Sequence, residues 1–556
     1  LMIQPDEKLE KFMDDVTELI AASQQEDGYL YISHICGNPD PREMGEKPYS
    51  WLVHSHELYN VGHLYEAAVA YYQATGKDKL LNVAIKSAKH VNKVFFEGGD
   101  PNYNNGKPVN QAPGHEEIEL ALCKLYRVTN DPLYLDMAKK FLEIRGVTYR
   151  PEGEGVMAAT YAQQHAPVSQ QTEAVGHAVR AAYLYTAMAQ VDALTGLHDY
   201  DKALQAIWNN LVTTRMHITG GLGAVEGMEG FGAPYELPNL TAYNETCAAV
   251  ANVFFNQGLF LGSGDAKFWD IAELSLFNNA LAGINLKGDR FFYVNPLEAD
   301  GERRFNHGNG GRAEWFGCAC CPPNLARLIS SIGSYAFTEN EDTLFVHLYM
   351  GSNVEKTVNG KTVNVQMESD MPWEGNIKIR VQAENAKMTL ALRIPGWCKN
   401  YKISGIEDAA QEEKDGYLYL KKVWNREETF CIDFPMEVQM FAASERVRED
   451  IGKAAIMRGP VVYCLEEKDN GKNLHELLVD TDMHASVSEG KICDTVVKMV
   501  ETDGWRLTES GDAEETLYHM YQKPQKQKVR LHYIPYYTWA NRGENEMQVW
   551  TRVQNP

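Results

Sequence analysis

The sequence predicts a multidomain protein of helices and strands: a helical toroid at residues 1–337, then two β-sandwich modules at residues 338–445 and 446–556. Three observations support this prediction. Helical periodicity continues from the N-terminus to about Phe337. Within that region, paired helices recur with similar connectors. Beyond it the chain changes to short alternating segments separated by Gly, Asn and Asp turns, a pattern typical of β-sandwiches.

The helical region contains repeated helix pairs. The connector YQATG at 72–76 leads into a helix from Lys79, and YRVTN at 126–130 leads into one near Pro132. Repetition at this scale predicts stacked helical hairpins. The predicted helices span residues 6–22, 56–74, 79–96, 115–128, 132–145, 176–194, 200–216, 244–261, 266–281 and 322–335.

Three Gly-His pairs favour closure of these hairpins into a toroid. His63, His115 and His177 each follow a glycine at or near the start of the first helix of a pair. A single histidine at such a position is better explained as a cap or a satisfied core residue. Three in equivalent positions predict that the helix ends converge on one pocket, where loops carry function.

The strand-like region begins after Phe337. Alternating apolar residues bounded by turn residues indicate strands, and Asn359-Gly360 is typical of a hairpin turn. The predicted strands span residues 343–349, 362–367, 376–381, 388–394, 417–420 and 429–434 in the first module, and 461–465, 529–533 and 547–553 in the second.

Composition excludes several classes of protein. The 556 residues are 44% hydrophobic and 23% charged, with no apolar run long enough to span a bilayer. The net charge of −23 argues against a nucleic-acid partner. The ten cysteines are mostly scattered singly, unlike those of a disulfide-stapled secreted domain. The abrupt start predicts that a preceding segment is missing, so the protein could be cytoplasmic or periplasmic. A homodimer is also possible.

A cysteine-rich stretch, WFGCACCPPN at 315–324, carries the strongest chemical signal. Cys320 and Cys321 are adjacent and therefore poorly placed to bridge each other. The double proline fits the first turn of a helix, which would place the thiols at an electropositive helix N-terminus. A metal site, a nucleophile and a pair of buried structural cysteines are the three interpretations. Cys318 has no assigned role.

Upstream residues can complete a metal site. Glu245 and Cys247 lie two apart at the start of a predicted helix. With Cys320 and Cys321 they would supply one hard and three soft ligands, a set that suits tetrahedral Zn²⁺. A closed structural zinc site would satisfy the same pattern.

A glycine-rich loop at 220–243 carries carboxylates that could act as a general acid. They are Glu226, Glu229 and Glu236. By pattern alone, each is better explained as a solvated loop residue. The GGLG run at 220–223 lacks the spacing of a dinucleotide-binding fingerprint.

Seven motifs of the chain belong together: HELYNVGH at 56–63, PGHEEIEL at 113–120, HITGG at 217–221, LPN at 237–239, NETC at 244–247, FYVNPL at 292–297 and CACCPPN at 318–324. They resemble the β-L-arabinofuranosidases of glycoside hydrolase family 127, earlier a domain of unknown function, DUF1680. The resemblance extends over essentially the whole chain. It implies an (α/α)6 barrel catalytic domain followed by β-sandwich modules, and a glycoside or oligosaccharide as substrate.

The resemblance also implies roles for individual residues. The enzyme would be a retaining exo-glycosidase that removes terminal β-L-arabinofuranose, or a related rare sugar such as aceric acid, from plant-derived glycans. Cys320 matches the nucleophile and Glu229 the general acid/base. The zinc ligands would be Glu245, Cys247, Cys320 and Cys321, and the sugar ring would be held by His63, His115, His177 and Tyr293.

Three alternatives remain open at the level of sequence. Glu245 could be the nucleophile, which would leave a purely structural zinc. A sugar epimerase or isomerase could use the pocket histidines, because helical toroids host that chemistry too. A non-catalytic carbohydrate-binding protein could use the β modules, with Trp373, Trp397 and Trp539 as binding aromatics, although such residues more often fill sandwich cores.

Overall fold

The computed structural model describes residues 1–37, 44–53, 55–148, 158–482, 484–508, 517–518 and 520–554. The chain divides into two compact units, Leu1–Thr213 and Thr214–Pro556. Among the described residues, no helix combines the length and apolarity needed to cross a bilayer.

The first unit is built from helices in two layers. Inner helices are buried around most of their circumference, whereas their partners bury one face. The inner helix Ile118–Thr129 contacts its two inner neighbours and its own outer partner. The main helices are Glu7–Ser23, Glu57–Thr75, Lys79–Asn92, Ile118–Thr129, Pro132–Ile144, Ala178–Thr195 and Asp201–Thr214, with a short helix at Ile32–Ile35.

The repeated connectors have a common backbone cause. Gly76, Asn130 and Gly196 each follow a helix in the left-handed conformation, with φ of 74°, 54° and 65°. Gly264 does the same after a helix of the second unit, with φ of 75°. Glycine and asparagine tolerate this conformation, which lets their N–H groups satisfy the last carbonyls of the helix.

The second unit begins with helices that carry site residues. Its helices are Thr246–Ser263, Lys267–Ser275, Cys321–Ser330 and Gly333–Ala336. The segment Leu276–Ala280 is a π-helical turn, as is Lys93–Glu97 in the first unit. The helices predicted at 79–96 and 266–281 therefore each end in a wider turn.

An eight-stranded sheet, counted over the described residues, follows these helices. The two longest strands, Asn376–Arg393 and Tyr417–Asp433, pair antiparallel along nearly their full length. Its core contains the fully buried Trp424. The other strands are Phe337–Glu339, Thr343–Val346, Ser352–Val358, Lys361–Glu368, Lys402–Ser404 and Ala410–Lys414.

The strand boundaries predicted around residues 382–387 and 421–428 are wrong. The segments predicted at 376–381 and 388–394 form one strand, and so do those at 417–420 and 429–434. The pairing register shifts between Ala383 and Ala386, where Asn385 has φ of 52°. Polar residues that indicated a turn instead form a β-bulge, through which the strand continues.

A ten-stranded sheet, counted over the described residues, contains most of the C-terminal strands. Its edge strand Glu298–Asp300 lies far upstream in sequence and pairs with Glu546–Gln548. The segment predicted as one strand at 547–553 is divided between Glu546–Gln548 and Thr551–Val553. The remaining strands are Val438–Phe441, Lys453–Arg458, Val461–Glu466, Leu477–Val479, Ser486–Ile492, Thr495–Thr508 and Gln525–Pro535.

Buried polar bonds join the sheets to the helices of the second unit. Arg393 is fully buried and pairs with Asp270 at 2.6 Å and with Glu273. Asn278 donates to the Pro460 carbonyl at 2.8 Å and accepts from the Val462 N–H at 2.7 Å. These bonds are costly to break inside the protein, so they fix the helix Lys267–Ser275 and the turn after it against the sheets.

Candidate active site

Two helix N-termini of the second unit bring the predicted metal ligands together. Glu245 is the N-cap of Thr246–Ser263, and Cys247 lies in its first turn. Cys320 is the N-cap of Cys321–Ser330, whose first turn contains proline. The prediction that the double proline begins a helix is confirmed. Fixed φ angles at the prolines suit that first turn and set where the two thiols project.

The four ligand atoms form a compact cluster, all within 4.8 Å of one another. Cys247 Sγ lies 3.3 Å from Cys321 Sγ, which is 3.8 Å from Cys320 Sγ. Glu245 Oε1 lies 3.4 Å from Cys320 Sγ and 3.6 Å from Cys321 Sγ. A disulfide requires about 2.05 Å, so these cysteines are free. Within the described residues, Glu245 Oε2 has no hydrogen-bond partner. The cluster can hold a metal ion.

Burial dominates the electrostatics of this cluster. It raises the pKa of Glu245 well above its ordinary value, and the nearby Cys320 and Glu229 raise it further. Burial also raises the pKa of Cys321. For Cys247, burial acts upward too, but hydrogen bonds with Cys320 and Cys321 hold the pKa below its ordinary value. Several buried groups that resist ionisation together can all ionise when a cation shares the site.

Asn324 and Tyr293 also contact the thiols. Asn324 Nδ2 donates to Cys247 Sγ at 3.0 Å. Tyr293 Oη lies 3.2 Å from Cys320 Sγ, and the tyrosine ring packs against His307 with centroids 4.3 Å apart. Sequence reasoning gave Asn324 no separate role. Its position three residues after Cys321, on the same helix, is the signal that could have indicated it.

The three loop glutamates have different surroundings. Glu229 is half-buried, follows the short helix Glu226–Met228 with φ of 49°, and accepts a hydrogen bond from Tyr243 Oη at 2.9 Å. Glu226 is exposed and pairs with Arg303 at 2.9 Å. Glu236 is exposed and accepts from the Ala233 N–H at 2.7 Å. A carboxylate oxygen of Glu229 lies within 4.8 Å of one of Glu245, which places Glu229 beside the cluster. Its hydrogen-bond partner Tyr243 is a residue that sequence reasoning missed.

The three histidines of the repeat lie together in the first unit. His63 is on the second turn of Glu57–Thr75, His115 precedes Ile118–Thr129, and His177 is the N-cap of Ala178–Thr195. Tyr59 lies between two of them, with ring centroids 4.4 Å from His63 and 4.3 Å from His115. The rings of His115 and His177 are 5.7 Å apart. Burial lowers the pKa of His115 well below its ordinary value, so this imidazole is neutral.

Buried carboxylates lie near these histidines, and side-chain cations pair with several of these carboxylates. Arg145 contacts Glu116 at 2.8 Å and Glu119 at 3.1 Å, and all three side chains are buried. Burial raises the pKa of Glu116 to about 8. Glu117 Oε1 lies 3.3 Å from His63 Nδ1. His63, Glu66 and Glu117 also have ligand atoms within 4.8 Å of one another, but Glu66 pairs with Lys124.

Comparison with known families places the chain among the glycoside hydrolases. Residues 1–334 match the family model described as β-L-arabinofuranosidase, GH127 catalytic domain. Residues 343–436 match the GH127 middle domain, and residues 438–552 match the glycoside hydrolase family 127 C-terminal domain. The chain is therefore a glycoside hydrolase, and it belongs to family 127, as the motifs predicted.

Individual relatives are similar to this chain over nearly its whole length. The non-reducing end β-L-arabinofuranosidase of Bifidobacterium longum subsp. longum is 36% identical, with 99% of this chain and 86% of that protein covered. The GH127 β-L-arabinofuranosidase Ara127N of Geobacillus stearothermophilus T6 is 39% identical with a TM-score of 0.90, covering 99% of this chain and 87% of that one. A further GH127 β-arabinofuranosidase structure is 38% identical with a TM-score of 0.88, covering 99% and 86%.

Proposed function

We propose that this protein is a retaining exo-glycosidase that releases terminal β-L-arabinofuranose from plant-derived glycans. The named activities of its relatives support this sugar. A related rare sugar, such as aceric acid, is the alternative substrate. The observation that carries the proposal is a reachable thiol, Cys320, in a buried cluster beside the half-buried Glu229.

We infer that the ion suited to the cluster is zinc. Three thiolates and one carboxylate match its preferred ligands. Ligands at ordinary Zn–S and Zn–O distances stand about 3.6–3.8 Å apart in a tetrahedron. Four of the six distances between ligand atoms run from 3.3 to 3.8 Å, and all six are within 4.8 Å. Glu245 Oε1 and the sulfurs of Cys247, Cys320 and Cys321 would hold the ion. When bound, zinc would keep the thiols deprotonated at neutral pH.

Exposure distinguishes the two candidate nucleophiles. Glu245, Cys247 and Cys321 are at most 2% exposed, whereas Cys320 is only partly buried. A substrate can therefore approach the sulfur of Cys320 more readily than the carboxylate of Glu245. This favours Cys320 as the nucleophile over Glu245.

The chemistry then follows from two residues. Cys320 Sγ attacks the anomeric carbon while Glu229 donates a proton to the departing glycosidic oxygen. Glu229 next takes a proton from water, which attacks the thioglycosyl intermediate, and Cys320 leaves as thiolate. Two displacements at one carbon retain its configuration, as they do in glycosidases that use two carboxylates. Tyr293, whose hydroxyl lies 3.2 Å from Cys320 Sγ, can orient the thiolate.

Other parts of the assignment stay predictions. His63, His115 and His177, together with Tyr293, are proposed to hold the sugar ring, and imidazole and phenol groups suit sugar hydroxyls. The (α/α)6 barrel at residues 1–337 and the two β-sandwich modules at 338–445 and 446–556 are likewise predictions.

Hydrolysis of an aryl β-L-arabinofuranoside, followed by proton NMR from the first turnover, tests the proposed function. The expected first product is β-configured arabinose, which then mutarotates. Initial α-arabinose would contradict the retaining mechanism. An epimerase would instead change the sugar without releasing the phenol, and that result would favour the second enzyme class.

A further inference from the structure

A cleft of about 660 Å³ lies in the second unit beside the turn that carries Glu229. Its first wall comes from residues 224–226, its second from residues 233–238 with Thr241, and its third from Arg446, Arg448 and Glu449. Two chain segments link this cleft to Glu229. Val225 lies opposite Gly230 in a β-bridge, so the first wall and Glu229 belong to one tight turn. Thr241 is two residues from Tyr243, whose hydroxyl donates to Glu229.

The walls of the cleft are held in place by hydrogen bonds and an ion pair. Asn239 Nδ2 donates to Asp450 Oδ1 at 2.7 Å, and both side chains are buried. This bond joins the segment that follows residues 233–238 to the segment that contains Arg446, Arg448 and Glu449. Arg303 pairs with Glu226 at 2.9 Å and donates to the Leu240 carbonyl at 2.5 Å. These two bonds join residues 224–226 of the lining to the segment that contains Leu240. A cleft braced in this way is preorganised, so a ligand loses less free energy in ordering it.

The lining combines one aromatic ring with side chains of both charges. Arg446 donates to Tyr235 Oη at 2.9 Å, and its guanidinium carbon lies 5.1 Å from the centre of the tyrosine ring. Tyr235 has φ of 68°, and its N–H donates to the Thr214 carbonyl at 2.8 Å. A left-handed tyrosine is rare and marks a position that the surrounding structure enforces. Arg448 and three glutamates complete the charged lining.

This lining suits a neutral ligand rich in hydroxyl groups. An aromatic ring offers a face to the apolar side of a sugar, and guanidinium and carboxylate groups bond its hydroxyls. The balance of two arginines and three glutamates does not favour a strongly charged ligand.

We propose that this cleft binds the sugar residues of the leaving group, with Tyr235 and Arg446 in contact with them. The proposal rests on the proposed function, because a general acid protonates the departing oxygen and the leaving group therefore lies on its side. The cleft would make the enzyme prefer glycans over simple glycosides. It assigns leaving-group recognition to residues outside the cysteine cluster.

Two substrates with similar chemical leaving groups test this directly: methyl β-L-arabinofuranoside and β-L-arabinofuranobiose. Both release an alcohol, so a difference between them reports binding of the second sugar. In Arg446→Ala, kcat/KM for the disaccharide should fall roughly tenfold, as expected for loss of a hydrogen bond from a charged group. The methyl glycoside should change less than about twofold. Tyr235→Phe, which removes only the hydroxyl, should show a smaller loss with the same selectivity.

The matched control is Arg380→Ala, since Arg380 is a partly exposed arginine of the eight-stranded sheet that faces Glu368 and Glu427. It should leave both substrates unchanged. Equal losses on both substrates in Arg446→Ala, or no loss on either, would overturn the proposal.

A binding measurement separates this proposal from the proposed function. In the Cys320→Ala protein, calorimetry with β-L-arabinofuranobiose should show binding that weakens roughly tenfold when Arg446→Ala is added. Wild-type protein that hydrolyses neither substrate would refute the proposed function, while the calorimetry still decides the cleft. Unchanged disaccharide affinity, or no binding before Arg446 is replaced, would refute the cleft as a leaving-group site.

Discussion

The two clusters of ionisable side chains, one in each unit, balance their charge differently. In the first unit, Glu116 and Glu119 share Arg145, and Glu66 pairs with Lys124. In the second unit, Glu245 Oε1 contacts the thiols of Cys320 and Cys321. A buried charge is stable only when it is paired or bound to a metal. Side-chain cations pair with carboxylates of the histidine cluster, whereas a bound metal ion would pair with the carboxylate and thiolates of the cysteine cluster.

The largest expected effect is on catalysis at the cysteine cluster. Cys320→Ala should lower kcat/KM for an aryl β-L-arabinofuranoside by at least about 10⁴-fold, because the attacking group is lost together with one ligand of the proposed zinc site. Cys493→Ala is the matched control, since this exposed cysteine lies in the turn between two strands of the ten-stranded sheet. It should retain activity within about threefold. A Cys320→Ala protein that keeps wild-type turnover would contradict the nucleophile assignment.

Metal content sharpens the contrast between the clusters. Purified protein should contain one zinc per chain, and Cys247→Ala should lose most of it, because three donors bind far more weakly than four. Glu66→Gln should keep the zinc, although its cluster also groups three ligand atoms within 4.8 Å. Elemental analysis of both proteins after dialysis measures this. If Glu66→Gln lost the zinc and Cys247→Ala kept it, the assignment of the zinc site to the cysteine cluster would be contradicted.

The next effect concerns the acid/base residue. Glu229→Gln should lower kcat/KM for methyl β-L-arabinofuranoside by about 10²–10⁴-fold, the usual contribution of general acid–base catalysis. A dinitrophenyl glycoside should be affected less, since its leaving group needs no proton in the first step. Glu226→Gln should cause the smaller loss, because Glu226 is exposed and paired with Arg303. The opposite order would move the role to Glu226.

Arg145 tests whether the first unit balances its own charge. Arg145→Met would leave Glu116 and Glu119 buried without their shared cation, which should destabilise the first unit by about 3–5 kcal/mol. Urea denaturation followed by tryptophan fluorescence measures the change. Zinc content should stay at one per chain. Arg290→Met, at an exposed pair with Glu314, is the control and should cost less than about 1 kcal/mol.

Glu57 gives the smallest effect, in a pH dependence. Burial raises its pKa from 4.5 to about 7, although bonds from Tyr29, Tyr49 and Ser55 oppose the shift. A folded-state pKa above the unfolded one means that the folded form binds the proton more tightly. Stability from this group is therefore full below about pH 4.5 and falls by about 1–3 kcal/mol as pH rises to 7. Glu57→Gln should flatten that decline; an unchanged slope would contradict it.

The sequence indicated local features better than distant ones. Helix starts followed from Asp6, which accepts from the N–H groups of Lys8 and Leu9, and from the double proline after Cys321. Such signals act over a few residues. The edge strand Glu298–Asp300 pairs with a partner near the C-terminus, and no local pattern encodes that contact. The bulge at Ala383 and Ala386 likewise depends on its partner strand.

In the candidate site, too, local motifs were predictable from the sequence and contacts between distant residues were not. The ligand set was predictable because Glu245 with Cys247, and Cys320 with Cys321, each occur as a short motif at a helix start. Tyr243 was not, because a tyrosine in a loop gives no signal until the fold places its hydroxyl on Glu229.

The most direct test of the central claim, that Cys320 is the nucleophile, uses the Glu229→Gln protein and a dinitrophenyl β-L-arabinofuranoside. The activated leaving group allows the first displacement, and loss of the base slows the second, so the intermediate should accumulate. Intact-mass spectrometry should then show addition of one arabinosyl group, and peptide mapping should place it on Cys320. A label on Glu245, or phenol release with no label on Cys320, would contradict the account.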